Sequence, residues 1–325
     1  MQRSAMNIVV LDAYVNNPGD LSWEPLKQFG TVTLYDRTSA DKVATRAADA
    51  DIAVTNKVAW DAAALDACPN LKLIALTSTG FNVVDLEAAR KRGVTVCNVP
   101  AYSTPDVAQM TFALLLELCL HVGDHSHDVL AGTWVRSVDF SYWSHPLIEI
   151  AGKTIGIVGM GSIGQAVACI ANAFGLEVLF NNRSAKPACE NEHCKQVDFD
   201  TLLADSDIVT LHAPATPETN GLIDTRAIEK MKDGAMLLST ARGTLVDERA
   251  VADALLSGKL GGFGADVVAV EPMRADNPLL EAKDKNLVIT PHIAWATHEA
   301  RARLLDTVFA NIRAFIEKHP QNVVS

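Results

Sequence analysis

The chain has 325 residues, too many for one compact core, so two domains are expected. Hydrophobic residues make up 49 % and charged residues 21 %, which excludes a disordered chain, and a formal charge of −11 argues against nucleic acid or an anionic membrane surface as partner. The longest apolar stretch, 112–120, is broken by Glu117 and too short to span a bilayer, nothing resembles a secretory signal, and six scattered cysteines fit a reducing cytoplasm.

The first hundred residues alternate β-branched runs with Ala-rich segments. Strands are predicted at 8–11, 31–35, 51–55, 71–76 and 94–99, with helices such as 39–50 and 85–92 between them. Such alternation implies a parallel sheet, because each parallel pair needs a crossover. Thr104-Pro105-Asp106 then reads as a helix start, with Thr104 as cap and Pro105 in the first position. The helix runs through 107–122 and is apolar nearly all round, so both sides should be buried, part of one by a second subunit. A polar, aromatic segment follows over 132–146.

A second series of strands is predicted at 154–158, 177–180, 208–211, 235–239, 264–267 and 287–290. An amphipathic helix over 297–318 closes the chain, and its periodicity leaves open which domain it joins. Cys189, His193 and Cys194 are metal-ligand types without the gap that lets paired ligands converge, so a solvated loop is expected there. His121 and His125 read as surface histidines, and no metal is expected.

Gly159-Met160-Gly161-Ser162-Ile163-Gly164 is a G-x-G-x-x-G turn between an apolar strand and a helix over 165–174. Gly159 permits the tight turn, Gly161 lets a pyrophosphate approach the backbone, and Gly164 allows close helix–strand packing. The helix N-terminus offers free N–H groups and a positive dipole end to phosphate. The next strand ends in Asn182-Arg183 with no acid to bind an adenosine ribose. NADP is therefore at least tolerated beside NAD: Asn182 does not repel a 2′-phosphate and Arg183 can pair with one, although Asn182 can equally bind the ribose of NAD.

Three later segments each place a reactive residue after a strand: Thr240-Ala241-Arg242, Glu271-Pro272 and Pro291-His292-Ile293-Ala294. Arginine can clamp a carboxylate with two hydrogen bonds and polarise an adjacent carbonyl. Histidine can give the proton a new alkoxide needs, and a nearby carboxylate supports its charged form. Together they suit hydride transfer to a 2-oxo acid.

These segments, with LHAPATPET (211–219), TARGTLVD (240–247), GADVVAVEP (264–272) and TPHIAWAT (290–297), resemble the D-isomer-specific 2-hydroxyacid dehydrogenase family along almost the whole chain. The nearest branch is glycerate dehydrogenase/hydroxypyruvate reductase. The resemblance implies an α/β protein of two doubly wound parallel-sheet domains, with a Rossmann dinucleotide domain (104–290) inserted into a flavodoxin-like substrate domain (1–103 plus 291–325), hinges near 103 and 291, and a homodimer. It implies reduction of hydroxypyruvate or glyoxylate to D-glycerate or glycolate. Arg242 would bind the substrate carboxylate and carbonyl, His292 would be the acid/base, Glu271 its charge partner, and Asp266 a contact of the nicotinamide amide. Thr240, Ala241, His212, Ala213, Pro214 and Ala294 would line the cofactor groove, and Ser78, Thr79 and Gly80 would hold the substrate carboxylate. Asn56, Lys57 and Tyr102 are candidates for specificity. A dinucleotide-sensing, corepressor-like binding protein is the alternative from another class. Formate dehydrogenases, with Gln in the place of Glu271, and phosphite dehydrogenases, with a Lys in the segment matching 78–80, fit less well.

Overall fold

The computed structural model describes residues 6–325. They divide into two compact units, one ending at Ser103 and resuming from Trp295 to Ser325, the other running from Thr104 to Ala294. In the first unit β1 (Met6–Val10), β2 (Gly30–Leu34), β3 (Ile52–Thr55), β4 (Leu73–Leu76) and β5 (Thr95–Cys97) form an all-parallel sheet in the order β2-β1-β3-β4-β5. Its centre is apolar on both faces, as a parallel sheet covered on two sides requires. Ile74 and Leu76 of β4 join a cluster with Trp60 and Leu65. Leu73 and Ala75 point the other way, to Leu304, Val308 and Ile312 of the helix His298–Ile316. That packing decides what periodicity left open: the last helix covers the first sheet.

The second unit holds β6 (Thr154–Val158), β7 (Glu177–Asn181), β8 (Cys194–Gln196), β9 (Ile208–Leu211), β10 (Ala235–Ser239), β11 (Leu260–Ala265) and β12 (Leu287–Ile289). All are parallel, in the order β12-β11-β10-β9-β6-β7-β8. The order reverses at β6, which lies between β7 and β9. Ligands of open α/β sheets bind beyond the strand ends at such a reversal.

Three local expectations are corrected. β8 takes the place of a loop at Cys194, which is buried at the sheet edge; three residues of mixed character carry no alternation to read. β11 starts four residues early, because its Gly261 and Gly262 hide a strand from propensity. The long helix stops at Leu120, and after His121 at φ 48° a further helix, Val122–Leu130, leaves at 60°. Among the described residues no single helix is long and apolar enough to cross a membrane.

Candidate active site

β6 delivers the chain to Gly159, whose φ of 99° favours glycine. A Cβ there would sit 2.8 Å from the backbone of His212 and Ala213, so the ends of β6 and β9 meet closely. A Cβ on Gly164 would strike the Gly159 carbonyl, which lets the helix Ser162–Ala173 rest on the turn. Gly161 faces open space, with no neighbouring atom within 4 Å of a Cβ position. The first amides of the helix, at Ser162 and Ile163, have no acceptor among the described residues, and the turn fits a pyrophosphate.

Asn182, just after β7, ties back to this turn. Its Oδ1 accepts from Met160 N at 3.2 Å, and its Nδ2 donates to the Ser184 carbonyl at 2.9 Å. Arg183 is exposed. Across the loops Glu218 is held below the usual carboxylate range, first by the Thr216 hydrogen bond and in small part by the Arg183 charge. His212 donates its backbone N–H to Val158 O at 2.8 Å, and its Nε2 lies 3.0 Å from Thr210 Oγ1. Its Nδ1 is enclosed with no partner among the described groups, and burial pushes the imidazole pKa down to about 3, so the ring is neutral. Ala213 is half-buried and Pro214 exposed beside it.

Beyond β10, Thr240 is buried, with its hydroxyl 3.2 Å from that of Thr111. Ala241 follows half-buried, and Arg242 is exposed. The Arg242 Nη1 donates to the Ala241 carbonyl at 2.7 Å, and no carboxylate pairs with the guanidinium among the described residues. Its outer donors remain open to an anion.

Asp266 organises the next turn. It is 1 % exposed; Oδ1 accepts from Thr290 Oγ1 at 2.6 Å and Ile293 N at 2.9 Å, and Oδ2 accepts from Ala294 N at 2.8 Å. Its carbonyl also accepts from His292 N at 2.8 Å. These bonds keep residues 292–294 with the second unit, so the chain passes to the first at 295 rather than at 291. They also hold His292 at φ 55°, a left-handed conformation that a non-glycine keeps only when its surroundings impose it. Glu271 approaches from the other side, its Oε2 2.7 Å from His292 Nδ1. A carboxylate only accepts here, so Nδ1 carries the proton. Both side chains are partly exposed, at 26 % and 35 %.

Sequence reasoning missed two supports. Glu248 accepts from Ala269 N at 2.7 Å and from Asn277 Nδ2 at 2.9 Å, steadying the loop that carries Glu271. Thr290 anchors Asp266. Neither stands out, because a helical Glu and a strand-end Thr are ordinary by pattern.

In the first unit, Asp12 is buried and accepts from Asn56 N at 3.0 Å and Lys57 N at 2.8 Å. Asn56 is 3 % exposed and donates to the Thr77 carbonyl at 2.7 Å, bracing the ends of β3 and β4 instead of facing outward. Ser78 Oγ bonds Gly80 O, Thr79 Oγ1 bonds Val99 O, and Asn98 Nδ2 bonds Thr79 O. The carbonyls of this turn are thus engaged, while the Thr79 and Gly80 amides donate to no acceptor among the described residues.

A family model described as the NAD binding domain of D-isomer specific 2-hydroxyacid dehydrogenase matches residues 112–294. The hydroxypyruvate reductase of Blautia hydrogenotrophica is 46 % identical, across 98 % of this chain and 100 % of its own. The chain belongs to the D-isomer-specific 2-hydroxyacid dehydrogenase family. The glycerate dehydrogenase of Methylorubrum extorquens is 40 % identical, across 89 % of this chain and 90 % of its own. An acyclic imino acid reductase solved with NADPH and D-Arg has a TM-score of 0.84 at 29 % identity, covering 98 % of this chain and 100 % of that one. Membership makes this chain an NAD(P)-linked oxidoreductase of small 2-oxo and 2-hydroxy acids, near the glycerate dehydrogenase branch. The dinucleotide-sensing alternative is not favoured.

Proposed function

We propose that the chain reduces hydroxypyruvate or glyoxylate to D-glycerate or glycolate, with His292 as acid/base and Arg242 as carboxylate clamp. The observation that carries this reading is the Glu271–His292 contact at 2.7 Å, on a turn that Asp266 holds through three hydrogen bonds to one oxygen pair. The turn 159–164 would hold the cofactor pyrophosphate, with Asn182 and Arg183 near the adenosine ribose and His212, Ala213, Pro214, Thr240, Ala241 and Ala294 along its path. When bound, the dihydronicotinamide supplies the hydride. Arg242 grips the substrate carboxylate in a two-bond fork and draws electron density from the adjoining carbonyl. His292 Nε2 gives the proton that the product hydroxyl needs, and Glu271 stabilises the ring through Nδ1. Asp266 acts by positioning, since its oxygens already hold residues 290–294. In the first unit, the Thr79 and Gly80 amides form an anion-binding turn, and Asn56 supports it through Thr77.

The test is steady-state oxidation of NADH and NADPH with hydroxypyruvate, glyoxylate and pyruvate. Highest kcat/KM with hydroxypyruvate or glyoxylate is expected; preference for pyruvate would overturn the substrate reading, and cofactor binding without turnover the enzymatic one.

A homodimer is part of the proposal. An apolar groove of about 670 Å³ runs along Pro105, Ala108, Phe112, Leu116, Ala166 and Ile170. In the same unit Val138 is 99 % and Phe140 90 % exposed, with Trp134 and Trp143 also outward. Apolar side chains and an apolar groove on one body suit a two-fold interface with a second copy. Light scattering should give twice the chain mass; a monomer would remove this reading.

A further inference from the structure

One cluster in the second unit has no part in the proposed chemistry. Where the helix Thr104–Leu120 gives way to Val122–Leu130, His121 takes a left-handed conformation and its carbonyl turns to His125. The carbonyl can only accept, so His125 Nδ1 donates to it, at 2.7 Å. His125 Nε2 is then the acceptor for Ser144 N at 3.3 Å. This neutral imidazole fastens the 137–147 segment to the helical corner and brings His145 over His121. The two rings lie 4.4 Å apart at 30°, and His145 meets His125 edge-on at 6.1 Å. Asp124 completes the group, its Oδ2 3.4 Å from His145 Nε2.

His121 and His125, read from their spacing as surface histidines, therefore belong to a cluster that His145 completes. One ligand atom from each of His121, Asp124 and His145 lies within 4.8 Å of the other two. Around a tetrahedral ion with bonds near 2.1 Å such atoms stand about 3.4 Å apart, so binding requires the His121 and His145 rings to open from their present 4.4 Å spacing as the exposed Asp124 turns in. The adjacent Glu117 carboxylate, bound to Gly123 N at 3.2 Å, adds negative charge beside the group without occupying it.

We propose that His121, Asp124 and His145 form a binding site for one divalent transition ion, which pins the 137–147 segment to the helical corner. Two imidazoles and one carboxylate are a borderline donor set, suited to Zn²⁺, Co²⁺ or Ni²⁺ and poorly suited to Mg²⁺ or Ca²⁺. Three protein ligands leave at least one position for water or another donor. The function of the ion is structural: His145 lies between Trp143 and Leu147, so its coordination orders the most exposed apolar segment of the unit.

The experiment titrates Co²⁺ and Zn²⁺ into tag-free, chelator-treated full-length protein, with His145→Ala and Asp124→Asn alongside. Wild type should bind one ion per chain, show a Co²⁺ visible band without a thiolate charge-transfer band, and melt at higher temperature with Zn²⁺. Each variant should keep the metal-free melting temperature and lose affinity by at least roughly 10–100-fold, the loss that follows even an outer-shell change. A thiolate band would place the ion on cysteine and overturn the proposal. So would equal affinity in wild type and His145→Ala. Should His145→Ala lower the metal-free melting temperature, His145→Gln gives the same comparison with a polar side chain retained, and unchanged Zn²⁺ affinity there overturns the site.

Discussion

The two units present loops from the same end of parallel sheets, yet they use their polar residues in opposite ways. In the first, Asp12, Asn56 and Thr77 are buried and bound to one another or to backbone, and the Thr79 and Gly80 amides are left with no acceptor among the described residues. In the second, the side chains themselves face outward: Arg242 is exposed, and Glu271 and His292 are partly so. A buried network suits positioning of backbone donors, because each member is satisfied and immobile. Groups that exchange protons or grip a substrate need an open face. The contrast therefore separates residues whose loss should harm catalysis from residues whose loss should harm the fold.

The sharpest break of that contrast is His292→Ala. It should lower kcat by roughly 10²–10⁴-fold with unchanged NADPH binding, measured by fluorescence titration beside turnover. A stability loss without a kcat loss would move His292 to the buried class. Arg242→Ala follows, expected to raise KM and lower kcat together, by roughly 10²–10³-fold in kcat/KM, with the melting temperature unmoved. A change in KM alone would show that the arginine binds without acting in the transition state.

Asp12→Ala should do the reverse. It strands the Asn56 and Lys57 amides and should cost about 1–3 kcal/mol in urea unfolding. Its pH dependence carries a further sign. Burial raises the Asp12 pKa above the ordinary 3.8, so the folded chain keeps this proton to higher pH than the unfolded chain does. The contribution is complete below 3.8 and falls away as pH rises through the folded value. Wild type minus Asp12→Asn should show that decline; a flat difference would mean the carboxylate is not desolvated. The smallest effect belongs to Asn182→Asp, which keeps the acceptor for Met160 N and adds a charge. The NADPH/NADH ratio of kcat/KM should drop by on the order of tenfold, and a constant ratio would remove Asn182 from the ribose site.

Much of the second sheet is legible in residue order. β6, β9 and β10 start and stop where their apolar runs do, because buried parallel strands read as continuous hydrophobic segments. The three-residue edge strand β8 has no such run, and the bend at His121 has no proline, while the nearby Gly123 falls inside the following helix rather than at the bend. The glycine turn and the candidate site residues also stand out in the sequence, since each sits at a motif with a chemical reason. Their supports are not: Thr290 and Glu248 matter only through the groups that folding brings to them.

By itself, then, the order of residues determined the two parallel sheets and singled out the glycine turn, Arg242, Glu271 and His292 as the candidates for chemistry, because strand period, glycine spacing and side-chain chemistry are local properties. Only the tertiary structure decided that Nδ1 of His292 faces Glu271, that Asn56 and Asp266 act as braces, and that His145 joins His121 and Asp124. Those facts depend on contacts between residues about 20 or more positions apart, and a hydrogen bond is set by where folding places its two ends, not by what either end is.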